Sequence, residues 1–389
     1  MKTIIILLTI GFLFIGCEES GKKISEIILQ IDPDNTRENV DLSSFLEDSV
    51  SVIKLETLDD CLIADIKKIE FTKDFIFIKD DANPVIFQFD KNGKYIKSIG
   101  QEGQGPGEYI KLGDFVVMGD SLYIDDMYGR KIIIYSINNK GYRQYHNDYL
   151  MNEFIAFDRI LYYITNYIPS KSGNYNLYRM DLDNNKISKY LQFDKEISDK
   201  SLAWGLNTYS SKWKNEALLI YPRDNVIYEI TKDQVKAKYD ILFTKRSLPS
   251  YLLEEEAQIV MEVSSKEGYI RGLIDIHNSR DYVWGTFIDG KEVKNLMIEK
   301  KSFKYHIGNE MIISTFGNLY AKPFTTNDYN EFIVISEVNM FRQGWEYIYR
   351  GENFIKEKYK KQFENLYKTL REDDNPILFK FKLKNKDEE

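Results

Sequence analysis

Residues 75–109, FIFIKDDANPVIFQFDKNGKYIKSIGQEGQGPGEY, contain the pattern that decides the fold. Three strand-like runs rich in apolar residues lie at 75–78, 85–89 and 94–99. The turn at 90–93 ends in Asn-Gly, and these two residues tolerate the positive φ angles that a tight hairpin requires. The stretch therefore predicts three consecutive antiparallel strands followed by a glycine-rich exit.

The same unit recurs in residues 122–145, LYIDDMYGRKIIIYSINNKGYRQY. Asp126 aligns with Asp80 and Tyr135 aligns with Phe89, and each pair lies 46 positions apart. Repeats of roughly 40–50 residues that each supply several short strands are typical of β-propeller blades. The repeat predicts an all-β propeller, which grows by adding blades and remains one domain.

Weaker copies of the unit follow. We assign a third unit to residues 152–193, a fourth to 206–243, a fifth to 269–307, and an irregular sixth with strands at 311–315, 318–321 and 332–338. A run rich in Leu, Glu and Ala at 249–263 predicts a helix inserted between blades. Apolar residues spaced by three and four predict another helix at 354–370, and residues 375–384 alternate like a terminal strand.

The N-terminal residues 1–16, MKTIIILLTIGFLFIG, carry one charge and then an apolar run that is shorter than the ~20 residues of a membrane span. This pattern predicts a signal peptide. Residues 14–17, Phe-Ile-Gly-Cys, resemble the lipobox of bacterial lipoproteins, with Phe14 in place of the usual leucine. The resemblance implies that Cys17 is acylated and anchors the protein to a membrane; the alternative is an ordinary secretory signal with an incidental cysteine.

We divide the chain into a signal peptide at 1–16, a lipidated segment and tether at 17–48, and a propeller domain at 49–389. The tether is predicted because the polar residues 32–35, Asp-Pro-Asp-Asn, cannot pack into a core. Deletion of residues 18–40 is therefore expected to cost little stability.

The strand-like residues 50–55 precede the first complete repeat. In a propeller such a strand joins the last blade, here beside 377–383, so that no sheet edge remains at the seam. Loss of residues 375–389 is therefore expected to open the ring.

Four segments carry a resemblance to a known family: 53–57 (IKLET), 66–69 (IKKI), 87–90 (FQFD) and 99–109 (IGQEGQGPGEY). They are similar to the six-bladed β-propeller lipoproteins of Bacteroidota-type bacteria, and the opening blades resemble NHL repeats. The resemblance implies six blades and a place in the bacterial cell envelope, on the outer membrane, with the periplasmic and the cell-surface side both open. It implies no reaction.

Composition limits the partners and the sources of stability. The chain has 53 basic and 61 acidic residues and a net charge of −8, so its averaged field repels nucleic acid. If Cys17 is acylated, Cys61 has no partner for an intramolecular disulfide. Stability is expected to come from burial.

Two motifs could suggest chemistry. The glycine-rich loop at 103–107 contains Pro106 and precedes a strand rather than a helix, so we interpret it as a connection between blades and not as a phosphate-binding loop. The carboxylate pairs Asp80-Asp81 and Asp125-Asp126 could bind calcium or act as acid and base. Their repetition at strand ends favours a structural task, the capping of turns.

The sequence predicts no catalytic residue, metal site or cofactor. His146, His277 and His306 are scattered and lack the spacing of a metal site. No nucleophile-elbow motif is present.

An aromatic cluster, Trp204, Tyr209 and Trp213, is the candidate ligand surface. Aromatic side chains flanked by amides stack on sugar rings, but in propellers they also fill the space between blades. From these patterns we expect a non-catalytic module that binds a protein, peptide or glycan through loops on one face. The alternative is a hydrolase or lyase acting on a glycan or peptide, which would need converging carboxylates or arginines at the central channel.

Overall fold

The computed structural model describes residues 25–47, 50–138, 141–151, 153–196, 200, 209–222, 224–351 and 355–384. Within these ranges the long strands form six sheets, each of at least four strands, arranged as the blades of a propeller. The all-β, six-bladed prediction is confirmed.

Blades one to three each consist of four strands in simple up-and-down order. From the centre outwards, blade one contains Ile66–Phe71, Phe75–Asp80, Val85–Asp90 and Tyr95–Ile99. Blade two contains Leu112–Met118, Ser121–Asp126, Lys131–Ser136 and Tyr142–His146. Blade three contains Glu153–Phe157, Ile160–Ile164, Tyr175–Asp181 and Ile187–Gln192.

Blades four and five repeat this order, and blade six combines both ends of the domain. Blade four contains Ser210–Trp213, Glu216–Leu219, Val226–Ile230 and Val235–Phe243. Blade five contains Ile270–Asn278, Tyr282–Asp289, Glu292–Glu299 and Tyr305–Ile313. Blade six contains Thr325–Thr326, Phe332–Ser336, Ile377–Phe381 and Ser51–Lys54.

The ring closes as the sequence predicted. Ser51–Lys54 runs antiparallel to Ile377–Phe381, with Ile53 opposite Leu378 and Val52 opposite Phe379. The N-terminal strand thus becomes the outer strand of the last blade and leaves no unpaired seam between the chain ends.

The segment before this strand differs from the expected tether. Ile27–Ile31 adds a parallel strand to the outer edge of blade four, and Thr36–Asp41 adds one to blade five. The first strand alternates between exposed and buried side chains and buries Leu29 and Ile31, and the second strand buries Val40 between exposed neighbours. The polar residues 32–35 make only the short 3-10 turn between the two strands. Residues 27–41 therefore belong to the propeller.

The sixth blade begins later than predicted. Residues 311–313 continue the outer strand of blade five, and Leu319–Tyr320 pairs with that same strand. The sequence could not separate these alternatives, because alternation identifies a strand but not the sheet that it joins.

Three α-helices of eleven residues or more occur in the described part of the chain: α1 (Ala257–Glu267), α2 (Val338–Tyr349) and α3 (Glu357–Thr369). The predicted helix at 249–263 is instead a 3-10 turn, Ser250–Glu254, followed by α1, which ends at Gly268 with a φ of 78°. Helix α3 confirms the prediction at 354–370, whereas α2 was not predicted. Phe341 of α2 and Phe363 of α3 pack together with Phe379 of blade six.

Aspartate side chains cap the turns that follow equivalent strands of blades one and two. Asp80 accepts hydrogen bonds from the backbone amides of Ala64 and Ala82, and Asp126 accepts them from Ile110 and Gly129. Turn capping is therefore confirmed for these two carboxylates. The glycine-rich loop at 103–107 connects the outer strand of blade one to the inner strand of blade two, as predicted.

Apolar side chains fill the spaces between neighbouring blades. Phe77 of blade one and Phe115 of blade two share one buried cluster, and Trp284 of blade five packs on Phe332 of blade six at a ring distance of 5.7 Å. The apolar side chains of each blade pack against the neighbouring blades. The innermost strands therefore present polar side chains to the axis of the ring.

Candidate functional site in the central channel

A cavity of about 1480 Å³ lies at the centre of the ring and is lined by the innermost strands of all six blades. We call it the central channel. Its lining side chains include charged groups of both signs from five blades: Lys68, Glu70, Asp114, Glu153, Lys212 and Asp275.

Two of the channel carboxylates join neighbouring blades. Oε2 of Glu70 in blade one accepts a hydrogen bond from the backbone amide of Val117 in blade two at 2.9 Å. Oδ2 of Asp114 in blade two accepts one from the amide of Phe154 in blade three, also at 2.9 Å. Each carboxylate therefore accepts a hydrogen bond from a main-chain amide that has no partner within the neighbouring blade.

Glu153 repeats this arrangement at the next interface. Its two oxygens accept hydrogen bonds from the amides of Tyr209 and Ser210 in blade four, at 2.8 and 3.2 Å, and from the Ser210 hydroxyl at 3.0 Å. Burial and the nearby charge of Asp114 raise the pKa of Glu153 to about 7, although Lys68 and the three donors favour its ionised form. The side chain is therefore held in one position and is poised to titrate near neutrality.

Lys68 occupies the centre of this carboxylate group. Its Nζ donates to both oxygens of Asp114, at 3.0 and 2.9 Å, and lies 3.6 Å from Glu70. Burial alone would lower the pKa of Lys68, but the charges of Asp114 and Glu70 outweigh burial and raise it. Lys68 is thus a charged partner for Glu70 and Asp114.

Asp125 lies behind Asp114 and does not cap a turn as its neighbour Asp126 does. Oδ1 accepts a hydrogen bond from Nδ2 of Asn147 at 3.3 Å, whereas Oδ2 is buried without a partner among the described residues. Burial, followed by the charge of Asp114, raises the pKa of Asp125 to about 8. The turn-cap prediction is therefore wrong for this residue, which is a buried carboxyl that favours its protonated form at pH 7.

Blade five contributes a separate polar group to the channel. Asp275 accepts hydrogen bonds from the amide and the hydroxyl of Thr286, and Nζ of Lys322 lies 3.3 Å from its Oδ2. His277 lines the channel two residues further on, and burial lowers its pKa to about 4. The imidazole is therefore neutral near pH 7.

The channel differs in charge from the molecule as a whole. Among the described residues, eight basic and seven acidic side chains line it, whereas the complete chain carries a net charge of −8. Several of the seven carboxylates accept main-chain hydrogen bonds, so the basic side chains are the more available ligand-binding groups.

The structure describes two of the four predicted ligand and anchor residues, Tyr209 and Trp213. Cys17 and Trp204 lie outside the described residues. Tyr209 is buried in the core between blades three and four and does not form part of an exposed platform. Trp213 ends the innermost strand of blade four and is half-buried. Tyr209 also lines the central channel, and the aromatic ligand surface stays a prediction.

Sequence reasoning missed the carboxylates that bridge the blades. A usable signal existed, because Lys68 and Asp114 lie 46 positions apart, which is the spacing of the repeat. Charged residues at equivalent positions of two innermost strands must meet at the axis of the ring. No group of three or more His, Cys, Asp and Glu side chains with the arrangement of a metal site occurs in the part of the chain that the structure describes.

The six blades and the polar channel define this protein as a six-bladed β-propeller. Residues 27–382 match the model of the family described as "Domain of unknown function (DUF4934)", and the chain belongs to that family. No curated protein matches the chain significantly.

Solved structures share the fold. A Bacteroides fragilis NCTC 9343 protein that has been proposed to be exported is 19% identical, has a TM-score of 0.73, and aligns over 92% of this chain and 100% of its own. A DUF4221 family member from Bacteroides vulgatus ATCC 8482 is 9% identical with a TM-score of 0.49, over 88% of this chain and 99% of its own. The first similarity establishes the fold alone. Among the described helices, none is both long and apolar enough to cross a membrane.

Proposed function

We propose that this protein is a lipid-anchored propeller of the bacterial cell envelope that binds a protein, peptide or glycan in its central channel without converting it chemically. One observation carries the proposal. Glu70, Asp114 and Glu153, the carboxylates that would have to act as acid, base or nucleophile, accept main-chain hydrogen bonds from the adjacent blade. A carboxylate with this bridging task is constrained in position, which leaves it less free to approach a substrate.

The channel has the properties of a binding site. It measures about 1480 Å³, which is larger than the roughly 300–1,000 Å³ of a typical small-molecule pocket. A chain end, a loop or an oligosaccharide matches this volume better than a single metabolite. The paired charges of both signs along its wall suit a ligand that itself carries donors and acceptors.

The cellular location is part of the proposal. The signal-like residues 1–16 and Cys17 support export and acylation, and the similar Bacteroides fragilis protein has been proposed to be exported. Attachment to the outer membrane, with the propeller on the periplasmic or the cell-surface side, fits the resemblance of the opening blades to NHL-like lipoprotein propellers.

The alternative is a hydrolase or lyase that acts on a glycan or peptide at the channel. Glu153 favours it, because a carboxyl whose pKa is about 7 falls in the range of a general acid or base at neutral pH. The neutral His277 also lines the channel. Both side chains would have to reach one substrate for this function.

Occupation of the channel can be tested with a variant that fills it. Thr325 lies on the short innermost strand of blade six and lines the channel. Arrays of peptides and of glycans are probed with the full chain and with Thr325→Trp and Thr325→Val. We expect Thr325→Trp to weaken binding of any captured probe by about tenfold or more, whereas Thr325→Val, which has nearly the same volume, changes Kd by about twofold at most. Equal binding by both variants would place the ligand outside the channel.

A further inference from the structure

A second polar cluster lies between blades four and five, and we call it the Trp213 cleft: Trp213, Glu216, Asn278 and Lys300. Trp213 and Glu216 face each other across the tight turn between the first two strands of blade four. Nζ of Lys300 and Nδ2 of Asn278, both from blade five, donate to Oε1 of Glu216 at 3.0 and 3.1 Å. Nζ of Lys300 also lies 5.8 Å from the centre of the Trp213 ring. The four side chains therefore form one connected group.

The cleft contains an unpaired donor and an unpaired acceptor. Nε1 of Trp213 and Oδ1 of Asn278 are buried, and neither has a hydrogen-bond partner among the described residues. Buried polar atoms are nearly always paired, so each unpaired atom calls for a missing partner. A hydroxyl group can accept a hydrogen bond from the indole and donate one to the amide oxygen, because it has both capacities.

The rim of the cleft is partly exposed to solvent. The side chains of Glu216 and Lys300 are 28% and 15% exposed, and Trp213 is half-buried. Lys214 is exposed, and its Nζ lies 5.0 Å from the centre of the Trp213 ring. Cation–π contacts at exposed sites are weak, so a ligand with an apolar face can displace this lysine from the indole.

We propose that the Trp213 cleft is a binding site for a neutral saccharide. A sugar ring offers an apolar face to the indole, and its hydroxyls supply the partners that Trp213 and Asn278 lack. Glu216, whose charge is paired with Lys300, offers a further acceptor for hydroxyls. The site is independent of the proposed channel ligand, because Lys212, and not Trp213, lines the channel from this strand.

The test follows the four tryptophans directly by fluorine resonance of the full chain labelled with 5-fluorotryptophan. Trp213→Phe assigns the Trp213 signal by its loss. Maltoheptaose, xylohexaose and mannohexaose serve as neutral probes, and oligogalacturonate serves as the anionic probe. We expect at least one neutral probe to shift the Trp213 signal while leaving that of the fully buried Trp284 unchanged.

Variants separate binding from folding. Trp213→Phe keeps an aromatic ring but removes the indole donor. Because this variant also lacks the Trp213 signal, its affinity is compared with that of the wild type by isothermal titration calorimetry. It should bind the neutral probe about tenfold more weakly, which corresponds to the loss of one hydrogen bond. Lys291→Ala alters only an exposed side chain outside the cleft and should leave affinity unchanged. If no neutral probe shifts the Trp213 signal of the folded wild type, or if Trp213→Phe binds the probe as tightly as the wild type, the saccharide site is refuted. A response to oligogalacturonate alone would also refute it.

Discussion

The backbone amide of Phe154 donates a hydrogen bond of 2.9 Å to Oδ2 of Asp114, so the innermost strands of blades two and three are joined at the channel wall. Asp114→Ala removes this acceptor and also leaves Lys68 without its closest partner. Because breaking a largely buried ion pair costs about 3–5 kcal/mol, we expect Asp114→Ala to lower the free energy of unfolding by about 3 kcal/mol or more in urea titrations.

The control for this prediction is Glu364→Ala on helix α3. Glu364 pairs with Lys368 at 2.6 Å, but the two side chains are 47% and 65% exposed. Exposed ion pairs contribute little to stability, so this variant should unfold almost like the wild type. Equal losses for Asp114→Ala and Glu364→Ala would show that the bridging carboxylates do not stabilise the ring.

Asp125 predicts how stability depends on pH. Burial and the charge of Asp114 raise its pKa from 3.8 to about 8, so the folded protein holds a proton that the unfolded chain releases near pH 4. The contribution of this group is present below pH 4 and is lost as the pH rises towards 8, by about 1.4 kcal/mol per pH unit. Asp125→Asn should therefore lose about 1.4 kcal/mol per pH unit less than the wild type between pH 5 and 7.

Urea unfolding at pH 5, 6 and 7 measures this difference, and Asp120→Asn, at an exposed carboxylate, is the control. Glu153 contributes in the same direction up to about pH 7, so the wild type and its variant must be compared at each pH. Parallel curves for the wild type and Asp125→Asn would mean that Asp125 is ionised in the folded protein.

The N-terminal strand on blade four offers a comparison within one element. Ile31 is fully buried, whereas Ile28 is 39% exposed on the same five-residue strand. Ile31→Ala should cost about 2–5 kcal/mol of unfolding free energy through the cavity that it leaves, and Ile28→Ala about 0.5 kcal/mol or less. Thermal melts that show no difference between the two variants would restore the interpretation of this segment as a tether.

The accuracy of the sequence predictions depended on how local the signal was. The Asn-Gly hairpin, the 46-residue repeat and the closing strand at residues 50–55 follow from short-range patterns, and the structure confirms them. The parallel pairing of Ile31 with Phe243 joins residues over 200 positions apart, and no local pattern encodes such a partner. The same limit hid the bond from Tyr209 to Glu153, which exists only once the blades are side by side.

The membrane anchor is tested by Cys17→Ser. If Cys17 is acylated, the variant should leave the membrane fraction or retain its uncleaved signal, and it should not incorporate labelled palmitate. Serine differs from cysteine by one atom, so a general effect on folding is not expected. Palmitate labelling and membrane partitioning equal to those of the wild type would contradict the lipobox interpretation.

The fate of a ligand bound in the channel tests the central claim most directly. A probe that binds the wild type, and binds Thr325→Trp more weakly, is incubated with the full chain overnight at pH 7 and then examined by mass spectrometry, with Glu153→Gln in parallel. A binding module predicts that the probe is recovered with unchanged mass from both proteins. Cleavage of the probe by the wild type, abolished in a folded Glu153→Gln variant, would contradict binding without turnover and would assign the channel to catalysis.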